Sequence, residues 1–153
     1  MSLSDRLFQD MKAAMREKAA GKTKLAVIRM VRSAIQNKEI ELGHKLSDEE
    51  VLSILAREVR MRKESLPTYE RSGREDLVAK LREEIGILRD YLPAQLSEAD
   101  IEELVRKIMD QIGALGPRDL GRVMKEVMPQ VRGRAEGKMV NEVVCRLLEE
   151  LQG

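Results

Sequence analysis

Hydrophobic positions along this 153-residue chain recur every three or four residues almost from end to end. That spacing places apolar side chains on one side of an α-helix, and no stretch reads as a strand. Leu7, Met11, Ala14 and Met15 predict a first helix over about Ser4 to Ala20, stopped by Gly21. Val27, Ile28, Val31, Ala34, Ile35 and Leu42 predict a second over about Thr23 to Leu42, closed by Gly43. In LSDEEVLSIL, Ser47 stands three residues before Glu50 and predicts a capping box. Val51, Leu52, Leu55, Val59 and Leu66 continue that third helix, which Pro67 is expected to kink or end. Ser72 and Glu75 repeat the box pattern before a fourth helix carrying Leu77, Leu81, Ile85, Leu88 and Leu92.

YLPAQLSEADI marks the clearest boundary, because Pro93 breaks one helix and Ser97 with Asp100 caps the next. Ile101, Leu104, Val105, Ile108 and Ile112 form the fifth apolar face, and the turn GALGP ends it. Leu120, Val123, Met124, Val127, Met128 and Val131 form the sixth. Val140, Val144, Leu147, Leu148 and Leu151 form the seventh. The expected fold is therefore all-α. Residues 1–92 read as an N-terminal bundle of four helices and residues 93–153 as a smaller unit of three.

Composition agrees with helical packing. Aromatic residues are nearly absent, with Phe8, Tyr69 and Tyr91 and no Trp, so aliphatic side chains must fill the core. A charged fraction of 36% beside 42% hydrophobic residues fits a folded chain with a charged surface. No apolar run approaches the roughly 18 residues a membrane span needs, and the N-terminus lacks a signal-peptide core. A cytoplasmic protein without membrane contact is the expectation.

Reactive groups are few. The single histidine, His44, lies in the polar connector GHKLSD, and the single cysteine, Cys145, lies on a plain helical pattern. A zinc site of Cys and His ligands is not available, and no glycine-rich nucleotide loop is present. No catalytic residues, metal or cofactor are expected.

Charge is distributed unevenly. Residues 5–38 hold nine Lys and Arg against three Asp and Glu, and residues 118–138 hold six against three. On a wheel of about 100° per residue, Arg118, Arg122 and Lys125 fall opposite the apolar face of the sixth helix, and Arg132 joins them if the helix passes Pro129. Like charges at such spacing repel, and only Glu126 is near enough to offset them. In VRGRAEGKMVNEVV, Gly133 can close the sixth helix and Gly137 can open the seventh, with Arg134, Lys138 and Asn141 around its first amides. Free amides beside cations favour a phosphate or carboxylate. A tight corner between two helices explains the same glycines, and both readings stay open at this level.

Three stretches carry a family resemblance: LAVIRMVRSAIQNKEIE, RKESLPTYERSGREDLVAKLREEIGILRDYLPAQLSEADIEELV and DLGRVMKEVMPQVRGRAEGKMVNEVVCRLL. Together they resemble the GatB/YqeY family, and specifically its free-standing YqeY-like members. The resemblance implies an N-terminal helical bundle followed by a small helical domain. That second domain is similar to the tail of the B subunit of the glutamine-dependent amidotransferase acting on misacylated glutamyl- and aspartyl-tRNA. By that resemblance Arg132, Arg134, Lys138 and Asn141 face tRNA or another structured RNA, and the charge pattern adds Arg118, Arg122 and Lys125. The expected function is a tRNA-binding accessory module with no catalytic centre of its own. Alternatives are carbon–nitrogen ligase activity with glutamine as amido donor, exercised with an amidotransferase or aminoacyl-tRNA synthetase partner, or a protein-interaction module built on Met124, Met128 and Met139. Pro67 departs from the family's continuous third helix.

Overall fold

A computed structural model describes residues 1–151. They are all-helical, with no strand among them. In chain order the helices are α1 (Leu3–Arg16), a 3-10 turn (Lys18–Gly21), α2 (Lys22–Leu42), α3 (Asp48–Arg71), α4 (Glu75–Arg89) and α5 (Glu98–Ile112). A second 3-10 turn (Pro117–Asp119), α6 (Leu120–Val131) and α7 (Gly137–Glu150) complete the chain. The residues divide into two compact units, Met1–Pro93 and Ala94–Gly153.

In the first unit Leu7, Val27, Ile28, Val31, Val51, Leu55, Ile85 and Leu88 are buried together. Tyr91 is buried with them, its ring under the Arg6 guanidinium at 4.5 Å and its hydroxyl donating to Asp10 Oδ2. Burial, then that bond to a carboxylate, pushes the Tyr91 phenol well above its ordinary range. In the second unit Ile101, Val105, Ile108, Val123, Val127, Val131, Val140 and Leu148 form a separate core.

Start signals behave as their chemistry requires at two of the three expected capping boxes. Ser47 Oγ accepts from the Glu50 amide while Glu50 accepts from the Ser47 amide, and Ser97 and Asp100 do the same. A further box is formed at Ser2 and Asp5. The expected box at Ser72 and Glu75 does not form. Ser72 instead ends α3, its hydroxyl donating to the Tyr69 carbonyl at 3.1 Å. Gly73 turns the chain with φ 73, and Arg74 occupies the start of α4 without a side-chain cap. The connection is too short for Ser72 to serve both helices.

Other boundaries also differ. α1 stops at Arg16, and Lys18–Gly21 wind into a tighter turn that lays Gly21 on α1. A Cβ at Gly21 would lie 2.3 Å from the Ala14 carbonyl oxygen, so only glycine permits this approach. That contact centres the buried face of α1 on Leu7 and Ala14 and leaves Met15, expected inside, 49% exposed. Leu42 and Leu151, also expected in apolar faces, are exposed as well; each lies at a helix end, past the last buried residue of its helix.

Pro67 neither ends nor breaks α3, which runs to Arg71. Pro67 is exposed and lies inside the helix. Beyond it α3 remains packed on α4, where Arg82 Nη2 donates to Glu70 Oε1 at 3.1 Å. Pro129 is likewise exposed and lies inside α6.

Candidate functional site

The basic set singled out above lies in the second unit: Arg118 and Arg122 stand at the start of α6 and Lys125 within it, while Arg132, Arg134, Lys138 and Asn141 stand at the corner between α6 and α7. α6 ends at Val131, whose carbonyl accepts the Arg134 and Ala135 amides at 2.8 and 3.1 Å. Gly133 adopts φ 76 at this reversal. The preceding segment clamps the corner from below: the Leu96 amide donates to the Arg134 carbonyl at 2.8 Å, and Gln95 Nε2 donates to the Gly133 carbonyl at 3.0 Å.

The side chains do not act as one row. Arg134 Nε donates to the Ala94 carbonyl at 3.2 Å and closes the same clamp. Arg122 lies 3.3 Å from Asp119 Oδ1 and donates to the Ile112 carbonyl, so its guanidinium fastens the end of α5 to the start of α6. Asp119 is buried and accepts the Leu115 amide at 2.8 Å. That bond, with the neighbouring arginines, holds its carboxyl below the usual aspartate range. Arg132 occupies the C-terminal boundary position of α6 and is exposed. Arg118, Lys125, Lys138 and Asn141 are exposed, and Asn141 Oδ1 accepts from the Cys145 thiol at 3.6 Å. Gly137 is the first residue of α7, whose start has no side-chain cap. Arg122 and Arg134 thus have structural bonds to satisfy. The sequence could not show this, because their acceptors are a buried side chain and two carbonyls brought close only by folding.

Met124, Met128 and Met139 are partly buried and packed on the second core, so they do not form an open apolar surface. His44 is exposed, its ring Nδ1 2.9 Å from the Lys45 carbonyl. Among the described residues no three His, Cys, Asp or Glu side chains are grouped to hold a metal ion.

An open groove lies instead in the first unit, between α2 and α3, with a volume of about 420 Å³. Ala34, Leu46, Ile54 and Met61 supply its apolar surface, while Lys38, Glu50, Arg57 and Glu58 bring charge to it. Met30 stands one helical turn before Ala34 on α2, and Met30 and Met61 are 51% and 45% exposed. Arg62 ties Met30 to the interior: its Nη2 lies 3.3 Å from Met30 Sδ, and its Nη1 lies 2.7 Å from Glu58 Oε2. Sequence reasoning missed this groove. Its signal was weak: Ala34 and Ile54 belong to helical apolar faces, and only the packing of α2 against α3 shows which part of each face remains uncovered.

Comparison with known proteins decides the family. The model of the Yqey-like protein family matches residues 4–148. The chain belongs to that family. A relative from Pyrenophora tritici-repentis, named altered inheritance of mitochondria protein 41, mitochondrial, is 30% identical over 151 residues, covering 97% of this chain and 80% of the relative. Proteins of the same name from Saccharomyces cerevisiae and Kluyveromyces lactis are each 35% identical over 126 residues, and the match spans 66% of their length.

These relatives correct two expectations. The first is the assignment to the cytoplasm: the relatives of this Yqey-like protein are named as mitochondrial. The apolar content of a terminus reports on secretion and membrane spanning, not on every cellular address. The second is the tRNA-binding accessory module. The relatives are named for the inheritance of mitochondria, not for tRNA or amide transfer, and the electrostatic argument loses Arg122 and Arg134 to internal bonds.

Proposed function

We propose that this Yqey-like protein acts in the process for which its mitochondrial relatives are named, and that it does so by docking a partner protein on its first unit. The observation that carries this reading is the α2/α3 groove, whose apolar surface stays open between two well-packed helices. Exposed apolar surface beside a polar rim is the usual form of a protein-contact site. Met61 on its lining adds a flexible, polarisable surface able to fit varied side chains.

In this reading α1–α4 form a bundle that carries the groove, and α5–α7 form a second helical module. On the latter, Arg118, Lys125 and Lys138 are the members of the basic set whose exposed charges are open to an anionic group of a partner.

The test is complementation in Saccharomyces cerevisiae lacking its own relative. The chain is directed to mitochondria, and loss of mitochondrial inheritance is scored. Wild-type chain is expected to restore inheritance, and Met61→Glu is expected to fail while accumulating to the same level. Equal rescue by both would remove the groove from the function. No rescue by wild type would remove the shared process.

A further inference from the structure

We infer that the groove accepts an acidic amphipathic helix, an inference that rests on the docking reading above. Some of the charges at the groove are already in use within the fold. Glu50 Oε1 accepts the Ser47 amide at 3.1 Å and is held by the start of α3. Glu58 is held by Arg62, with both side chains largely out of water. The two carboxylates at the groove therefore have internal donors and little need of an incoming cation.

The cations differ. The Arg57 side chain is exposed and makes no ion pair or hydrogen bond with another described residue. Lys38 has one bridge, to Glu41 at 3.5 Å, and both side chains are about half exposed or more. Exposed pairs of this kind are weak, so Lys38 can exchange Glu41 for another carboxylate at little cost. The charge the groove can offer to a ligand is positive, and it stands on either side of an apolar surface.

The shape of the groove selects the backbone. Its walls are two α-helices whose peptide groups bond within themselves, so an extended segment would find no sheet edge to pair with. A third helix can lay a stripe spaced at three and four residues over Ala34, Ile54 and Met61. Asp or Glu beside that stripe would then meet Lys38 and Arg57. A nucleic-acid backbone has no apolar face for this surface.

The proposal is tested with the full chain as bait for a displayed library of helices of about four turns, randomised in apolar and charged positions. Binders are measured against wild type, Met61→Glu, and Lys38→Glu with Arg57→Glu. These three positions are at the surface, and thermal melting followed by circular dichroism checks that each variant folds. Enriched helices are expected to carry an apolar stripe flanked by Asp and Glu. They should lose binding to Met61→Glu and bind the doubly reversed variant about tenfold more weakly. Enriched helices rich in Lys and Arg, or binding indifferent to the charge reversal, would overturn the acidic assignment while loss on Met61→Glu kept the groove as a docking site. If no enriched helix is sensitive to Met61→Glu, both the acidic assignment and the docking reading fail.

Discussion

Arg62 Nη1 lies 2.7 Å from Glu58 Oε2, one turn earlier on the same helix, and this pair is almost wholly removed from water. The same guanidinium reaches toward a second carboxylate, with Nε 3.6 Å from Glu84 Oε1 on α4. Nε itself has no hydrogen-bond partner, so the cluster is held by charge more than by ideal geometry. One cation thus serves two shielded carboxylates and links α3 to α4 beside the groove wall.

Removing only the cation leaves both carboxylates poorly compensated. Arg62→Met is expected to destabilise the protein by roughly 3 kcal/mol, read as a lower urea midpoint. Combining it with Glu58→Gln and Glu84→Gln should recover a large part of that loss. A triple variant no more stable than the single one would show that packing of the arginine stem, not charge, sets the cost.

Gly21 allows the chain after α1 to lie directly on Ala14. Gly21→Ala puts a methyl where a backbone carbonyl stands, and neither can yield without moving α1. The expected cost is about 1–3 kcal/mol in thermal or urea unfolding. By contrast Gly86, with open space around its Cβ position inside α4, should tolerate alanine and gain up to about 1 kcal/mol.

Acid should weaken the second unit through Asp119 and Asp100. Both carboxyls are held below the usual aspartate range, Asp119 first by the Leu115 amide and Asp100 first by the Ser97 amide. A depressed folded-state pKa gives stability that is present above the unfolded value, near about 3.9 for aspartate. It is lost as pH falls through the lower folded value. Asp119→Asn is expected to flatten the fall of stability with acid below about pH 4, measured by urea unfolding across a pH series. It should also loosen Arg122, whose partner is that carboxylate.

Tyr91→Phe keeps the buried ring and removes only the bond to Asp10. Asp10 remains partly open to water, so the expected loss is about 1 kcal/mol, observed as a small shift in melting temperature.

A surface network joins α5 and α7, with Arg146 Nη2 3.1 Å from Glu102 and Arg106 Nη2 2.9 Å from the same residue. Because these groups are partly exposed, Arg146→Ala should cost under about 1 kcal/mol, and less at high salt. Melting at two ionic strengths checks both.

Helical class, the seven apolar faces with their buried centres, and the boxes at Ser47 and Ser97 were legible from residue spacing alone. Each depends on neighbours within one or two turns of the same chain segment, and such information survives in a one-dimensional pattern. The family resemblance was legible for the same reason, since it lies in contiguous motifs such as GRAEGKMVN. What failed depended on partners distant in sequence. Arg122 and Arg134 read as open cations until the Ile112 and Ala94 carbonyls were placed beside them. Nothing in the spacing singled out Arg62, which folding places beside Glu84 of α4. Pro67 read as a kink or an early end, whereas α3 runs on to Arg71 and stays packed on α4. Local spacing determines which faces are apolar and where helices begin. Only tertiary packing decides which charges are spent internally and which stretch of apolar face is left open, because both are set by the distances between separate helices.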